Sequence, residues 1–287
     1  MKKPDVHAFH DEATNTNTYE DSDPDTGSAA IDDPVLDYDP ASGRTATKTA
    51  DDVIAIVDAP ELDVLRILET HVKADHLTGA PYMHDNLGGK TAIANDLTIV
   101  QETIKGIFNL KDLATDGSQF DHRFSDGDTF TIGAIEAQVI ATPGHTPACI
   151  TYVIGDAAFV GDTLFMPDFG TARTDFPGGS ARQLYDSIQK ILALPDQTRL
   201  FMCHDYKAPG REEFAWETSV AEQRARNIHI NDEVSQDEFV RMREERDSQL
   251  GMPKLILPSL QVNLRAGDLP EPEDNDIRYL KIPLDAV

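Results

Sequence analysis

Glu69-Thr70-His71-Val72-Lys73-Ala74-Asp75-His76-Leu77-Thr78-Gly79 follows a short apolar run, 62–68, that reads as a strand. It packs two imidazoles and a carboxylate into the six residues from His71 to His76. Imidazole nitrogen and carboxylate oxygen are the donors of zinc, iron and manganese sites. A loop starting at a strand end can turn His71, Asp75 and His76 into one cavity. A polar loop with incidental histidines is the plain alternative, so the weight falls on the other strand ends.

Three of them carry the same chemistry. Thr142-Pro143-Gly144-His145-Thr146-Pro147 forces a tight turn after a strand over 135–141 and aims His145 off the sheet. Val160-Gly161-Asp162-Thr163-Leu164 ends an apolar strand with a carboxylate, whose burial calls for a cation or for hydrogen-bond donors. Cys203-His204-Asp205-Tyr206 closes a strand over 199–203. Four separate strand ends thus each deliver a metal-type ligand, on the loops where rigid scaffolds present functional groups.

Between these motifs strands and helices mix. A hairpin joins 14–20 to 28–35 through Asp23-Pro24-Asp25-Thr26-Gly27. Helical spacing predicts helices over 49–57 (stopped by Pro60), 81–87 and 96–108, with a strand over 90–94 between the last two. Strands over 129–132 and 135–141 flank Gly133, and strands over 149–154 and 157–160 flank Gly155-Asp156. The strongest helix, 180–194, pairs a Ser180/Gln183 cap with an apolar face of Leu184, Ile188, Ile191 and Leu192. Helices over 213–228 and 236–250 follow, and from Met252 the tail reads as Pro-interrupted and irregular. Without strict βαβ alternation, this order predicts an α/β (α+β) fold of mixed sheets covered by helices.

Composition narrows the partners. Acidic residues number 51 against 25 basic ones, a formal net charge of −26, which disfavours nucleic acid and anionic membranes. The scarcity of lysine suggests a surface adapted to a salty cytoplasm; an ordinary acidic protein is the other reading. The two cysteines, Cys149 and Cys203, indicate no disulfide scaffold and are expected to be structural. The N-terminus has no apolar leader and no apolar run is long enough to span a membrane, so a cytoplasmic enzyme is the expectation.

The order His-x-x-x-Asp-His, Pro-Gly-His, Gly-Asp-Thr and a late His resembles the metallo-β-lactamase superfamily over about residues 10–230. Thr171-Ala172-Arg173-Thr174-Asp175-Phe176, the His204-Asp205-Tyr206 segment and the Glu69–Gly79 loop make the persulfide dioxygenase branch the closest match. The resemblance implies an αββα sandwich over 1–230, with a C-terminal helix and irregular tail, 231–287, packed on it. It implies one Fe(II) per chain held by His71, His145 and Asp162, a two-histidine, one-carboxylate face open to dioxygen and a small-molecule thiol persulfide. Asp75, His76 and His204 would then support the ligands or iron-bound water. Arg173 would meet a glutathione carboxylate or order the site, and Tyr206 would hydrogen-bond substrate or pack beside it. The C-terminal helices wall the pocket or form a homodimer contact.

One position departs from the pattern. Lys73 stands where the superfamily's hydrolases carry a second histidine ligand, and an ammonium offers no lone pair. A deprotonated lysine could ligate only if burial lowered its pKa a long way. Lys73 therefore weighs against the alternative, a dinuclear Zn(II) hydrolase of glyoxalase II type, in which Asp162 would bridge to a second site of Asp75, His76 and His204. A third reading is a catalytically degenerate metal-binding protein.

Overall fold

The computed structural model describes residues 2–59 and 61–285; Pro60, the expected helix stop, lies outside them. The chain opens with strands β1 (Asp5–Asp11), β2 (Thr16–Ser22), β3 (Ser28–Asp32), β4 (Val35–Asp39) and β5 (Arg44–Ala46), then helix α1 (Lys48–Asp58). Next come β6 (Asp63–Leu68), β7 (Leu77–Thr78), α2 (Ala80–Leu87), β8 (Lys90–Ala94), α3 (Leu97–Phe108) and β9 (His122–Phe124). The second half runs β10 (Thr129–Ile132), β11 (Ile135–Ala141), β12 (Ile150–Ile154), β13 (Ala157–Phe159), α4 (Ala181–Leu192), β14 (Arg199–Phe201) and β15 (Glu217–Ser219). Helices α5 (Val220–Arg226), α6 (Gln236–Asp247) and α7 (Ile256–Asn263) close it.

Two six-stranded sheets, β1-β2-β3-β6-β8-β9 and β10-β11-β12-β13-β14-β15, stack face to face, with a small β5-β4-β7 sheet beside them. Strand alternation sorts the side chains into layers. Tyr19, Ala30 and Leu68 of the first sheet meet Val139, Tyr152, Phe159 and Phe201 of the second in the central core. On the first sheet's other face, Ile31, Val64 and Ile67 pack against Val53 and Val57 of α1 and Met83 of α2. On the second sheet's outer face, Ala158, Val160 and Leu200 receive Leu184, Ile188 and Ile191 of α4. The result is the αββα sandwich.

The hairpin expected over 14–35 is present as β2 and β3, paired with Tyr19 opposite Asp32. Two expectations near the C-terminus need correction. Residues 213–216 lie outside any helix; β15 pairs with β14 and α5 starts only after Ser219, whose side chain accepts from Glu222 N. Completing the sheet edge there overrides local helix propensity. The tail after Met252 is also not wholly irregular, because it contains α7. Pro258 falls in that helix's first turn, where its missing N–H costs no hydrogen bond.

Strand directions place the functional loops. β13 and β14 are parallel, and β12 is antiparallel to both β11 and β13, so β11, β13 and β14 all end at one edge. The loop after β6 reaches the same edge, where Ile150 N donates to Thr70 O at 2.9 Å.

Candidate metal centre

His71 follows β6, His145 follows β11, Asp162 follows β13 and His204 follows β14. Asp162 Oδ2 lies 3.8 Å from His71 Nε2 and 3.6 Å from His145 Nε2. Its Oδ1 lies 3.4 Å from His204 Nε2. The His71 and His145 rings meet edge-on with centroids 5.2 Å apart. Asp75, His76 and His204 form a second group: His204 Nε2 is 3.0 Å from Asp75 Oδ2, and His76 Nδ1 is 3.3 Å from Asp75 Oδ1. In each trio the ligand atoms lie within 4.8 Å of one another. All six residues expected at the metal are therefore brought together.

Hydrogen bonds on the far side of each ring fix its tautomer. A carbonyl can only accept, so His145 Nδ1–H donates to Arg173 O at 2.7 Å, and His204 Nδ1–H to Asn15 O at 3.2 Å. Both Nε2 atoms then face the carboxylates. Burial first, then the Lys73 charge and the neighbouring imidazoles, holds His71 well below the usual histidine range. It stays neutral, the form that ligates a metal. Burial works against a charged His204, but Asp75 and Asp162 outweigh it and raise its pKa.

Among the described residues, His76 Nε2 and Asp162 Oδ1 are buried without a hydrogen-bond partner. Such atoms are costly unless a cation meets them. The orphaned atoms and the nitrogen-and-carboxylate donor set fit a metal ion.

Two glycines make the convergence possible. Gly144 has φ +143°, and a Cβ there would fall on the backbone of Leu184 in α4. Gly161 has φ +52°, and a Cβ there would sit 2.6 Å from Thr70 Oγ1. Both turns need a residue without a side chain.

Lys73 sits behind His71 rather than among the ligand atoms, with its Nζ 3.1 Å from His71 Nδ1. Its Nζ donates to Asp33 Oδ1 at 2.5 Å and to Thr70 Oγ1 at 2.7 Å. Burial opposes its charge, yet the facing Asp33 carboxylate dominates and the pKa is raised. Lys73 is thus a buried cation, not a ligand. Asp33 also accepts from Thr70 N and Thr70 Oγ1, both at 2.8 Å, and the sequence carried no local signal for this role.

A cavity of about 560 Å³ opens over the centre, lined by Asp75, His145, Asp162, Phe165, Phe176 and Tyr206 among others. Tyr206 is 41% exposed and stacks on His204 with centroids 5.6 Å apart. Arg173 forks onto Asp175 through two 2.6 Å bonds and donates to Gly251 O at 2.7 Å, its side chain 15% exposed. Of the two roles expected for Arg173, ordering the site is the one this geometry favours, because its carbonyl orients His145. Asn263 of α7 is a further residue that the sequence did not signal. Its Nδ2 donates to Lys73 O at 2.9 Å and His76 O at 2.8 Å, and its Oδ1 accepts from Thr78 N at 2.9 Å.

The family model described as metallo-beta-lactamase superfamily matches residues 29–204. A probable metallo-hydrolase from Burkholderia pseudomallei is 54% identical over 293 residues, spanning 98% of this chain and 99% of that protein. Glyoxylase B2 of Dictyostelium discoideum is 53% identical over 265 residues, 91% of this chain and 90% of its own. The mitochondrial persulfide dioxygenase ETHE1 of Bos taurus is 31% identical over 255 residues, 88% of this chain and 84% of its own. The crystal structure of ETHE1 from Myxococcus xanthus superposes with TM-score 0.73 at 30% identity, covering 92% of this chain and all of that one.

Proposed function

This chain belongs to the metallo-beta-lactamase superfamily, and we propose that within it the chain is a mononuclear iron(II) dioxygenase acting on glutathione persulfide. The net reaction is glutathione persulfide plus O2 plus water giving glutathione and sulfite, with release of protons. The observation that carries the reading is Lys73 bound to Asp33, which leaves two imidazoles and one carboxylate at the first site. That donor set leaves coordination positions open on one side. The likeness to the Bos taurus and Myxococcus xanthus proteins supports it.

Iron(II), held by His71, His145 and Asp162, would supply the redox chemistry that joins dioxygen to the outer sulfur. The chain's own residues do the rest. Arg173 O and Thr70 Oγ1 orient the imidazoles. Phe165, Phe176 and Tyr206 wall the cavity and limit water at the reacting sulfur. Asp75 and Asp162 favour a proton on His204, whose Nε2 faces both carboxylates and helps hold them in place behind the cavity.

The test is oxygen uptake by anaerobically iron-loaded protein given glutathione persulfide, with sulfite as product. No uptake at full iron occupancy would end the reading. A second reading, a dinuclear zinc hydrolase of thioesters or lactones, draws on the Asp75–His76–His204 trio and on the hydrolase and glyoxylase names of the nearer relatives. About two zincs per chain with thioester turnover would favour it; about one iron favours the oxygenase.

A further inference from the structure

Four cationic side chains line the cavity: Arg173, Arg243, Arg246 and Lys254. Two are closed off within the protein. Arg173 is bound to Asp175, and Arg243 to Asp247 at 2.7 Å. Arg246 and Lys254 are exposed, and no carboxylate among the described residues lies within ion-pair distance of either. In a chain with 51 acidic and 25 basic residues, two unpaired cations on one cavity stand out from the protein's overall acidity. Low-dielectric walls strengthen the pull of such cations on an incoming anion. The walls here include Phe165, Phe169, Phe176 and Leu255.

Both cations belong to the C-terminal segment. Arg246 is in the last turn of α6, and Lys254 precedes α7, outside the 29–204 stretch matched by the family model. The metal ligands come from within that stretch. One part of the chain therefore supplies the reactive centre and another the free positive charge facing it.

We propose that Arg246 and Lys254 are the specificity-determining cations of this cavity, receiving the two carboxylates of a peptide thiol whose sulfur reaches the His71–His145–Asp162 centre. The identity of the thiol as glutathione rests on the dioxygenase reading; the preference for a dianion rests on the two unpaired cations alone. Guanidinium holds a carboxylate through paired N–H donors and ammonium acts as a point charge, so each suits one end of the ligand.

The test is binding, separate from turnover. Iron-loaded protein under nitrogen is titrated calorimetrically with glutathione and with its diethyl ester, which keeps the thiol and loses both negative carboxylates. The wild type is expected to bind the acid at least about tenfold more tightly than the ester, a gap of about 1.4 kcal/mol. Raising KCl from 0.05 to 1 M should shrink that preference. In R246Q/K254Q the acid should weaken about tenfold while the ester stays within about twofold; R246E/K254E should reverse the preference. Circular dichroism and thermal melts check that the variants fold. Equal binding of acid and ester by the wild type, or unchanged acid binding by both variants, overturns the proposal. Acid-selective binding without oxygen uptake would leave it standing while the dioxygenase reading falls. Oxygen uptake without that selectivity would do the opposite.

Discussion

Lys73 Nζ and His71 Nδ1 share one neighbour, the Thr70 hydroxyl, at 2.7 and 3.1 Å. That hydroxyl donates to Asp33 Oδ2 at 2.8 Å and accepts from the Lys73 ammonium, whose Nζ also lies 3.1 Å from His71 Nδ1. His71 Nε2 faces Asp162 on the other side of the ring. The residue that departs from the ligand pattern thus backs His71 both directly and through Thr70, while its own charge is met by Asp33.

Removing one partner of such a pair strands the other as an unpaired buried charge. Lys73→Met should cost about 3–5 kcal/mol of unfolding free energy. Lys73→Met with Asp33→Asn should cost less than the sum of the singles, because the stranded carboxylate is gone. Urea unfolding of the four proteins measures this. Additive losses would mean that the 2.5 Å pair contributes no coupling.

A buried acidic pair predicts a pH effect of known sign. Asp21 and Asp32 lie on the inner face of the first sheet, and no side-chain oxygen of either has a hydrogen-bond partner among the described residues. Burial, partly offset by its contact with Asp32, raises Asp21 to about 7. The unfolded chain ionises this carboxyl near 4 while the folded one keeps its proton, so stability falls as pH rises toward 7. Between pH 5 and 7 the group should cost roughly 2–3 kcal/mol. Glu69, raised by burial to about 8, adds a slope of the same sign. Asp21→Asn should flatten the pH 5–7 part of the stability curve; an unchanged slope would show that Asp21 ionises normally.

The ligand motifs were legible because local chain geometry announces them: Pro143-Gly144 and Gly161 are turn residues set against strands with clear apolar patterns. The supporting contacts were not, because they join distant parts of the chain. Asp33 meets Lys73 forty residues on, and Asn263 reaches the loop from 190 residues away. Helix α7 was hidden by Pro258, which reads as a breaker but sits in a first turn. Strands β1, β4 and β5 carry polar or exposed residues with little alternation, so pairing rather than pattern defines them.

Asn263 satisfies three backbone groups of the loop that carries His71, Asp75 and His76. Asn263→Ala would leave the Lys73 and His76 carbonyls and the Thr78 N–H without this partner. We expect a loss of about 2–4 kcal/mol in stability and weaker metal retention. Metal release against a competing chelator, followed alongside urea unfolding, separates the two effects. Full retention would confine Asn263 to folding.

The charge of −26 predicts a salt response. Screening should reduce self-repulsion of the folded state, so the unfolding midpoint should rise between dilute buffer and about 1 M KCl, where the Debye length falls to about 3 Å. Equal stability in both would count against a salt-adapted surface.

Gly161 offers the sharpest test of how the centre is assembled. Its φ of +52° carries Asp162 back toward His71, and the space a Cβ would need is filled by Thr70 Oγ1 and Cβ at 2.6 and 2.7 Å. Gly161→Ala must therefore strain the backbone, push Thr70, or both. Pushing Thr70 disturbs the hydroxyl that orients His71 and binds Asp33 and Lys73. A substitution of one methyl group should cost about 1–3 kcal/mol in stability from backbone strain and overpacking. It should also lower metal affinity about 10–100-fold, because two ligands and one orienting group move together. Gly127→Ala is the comparison: its φ is +83°, with nothing within 4 Å of the added carbon. That variant should share the backbone cost and keep the metal. If both lose metal equally, backbone strain alone explains the loss; if neither does, the Thr70–Gly161 contact does not position the ligands.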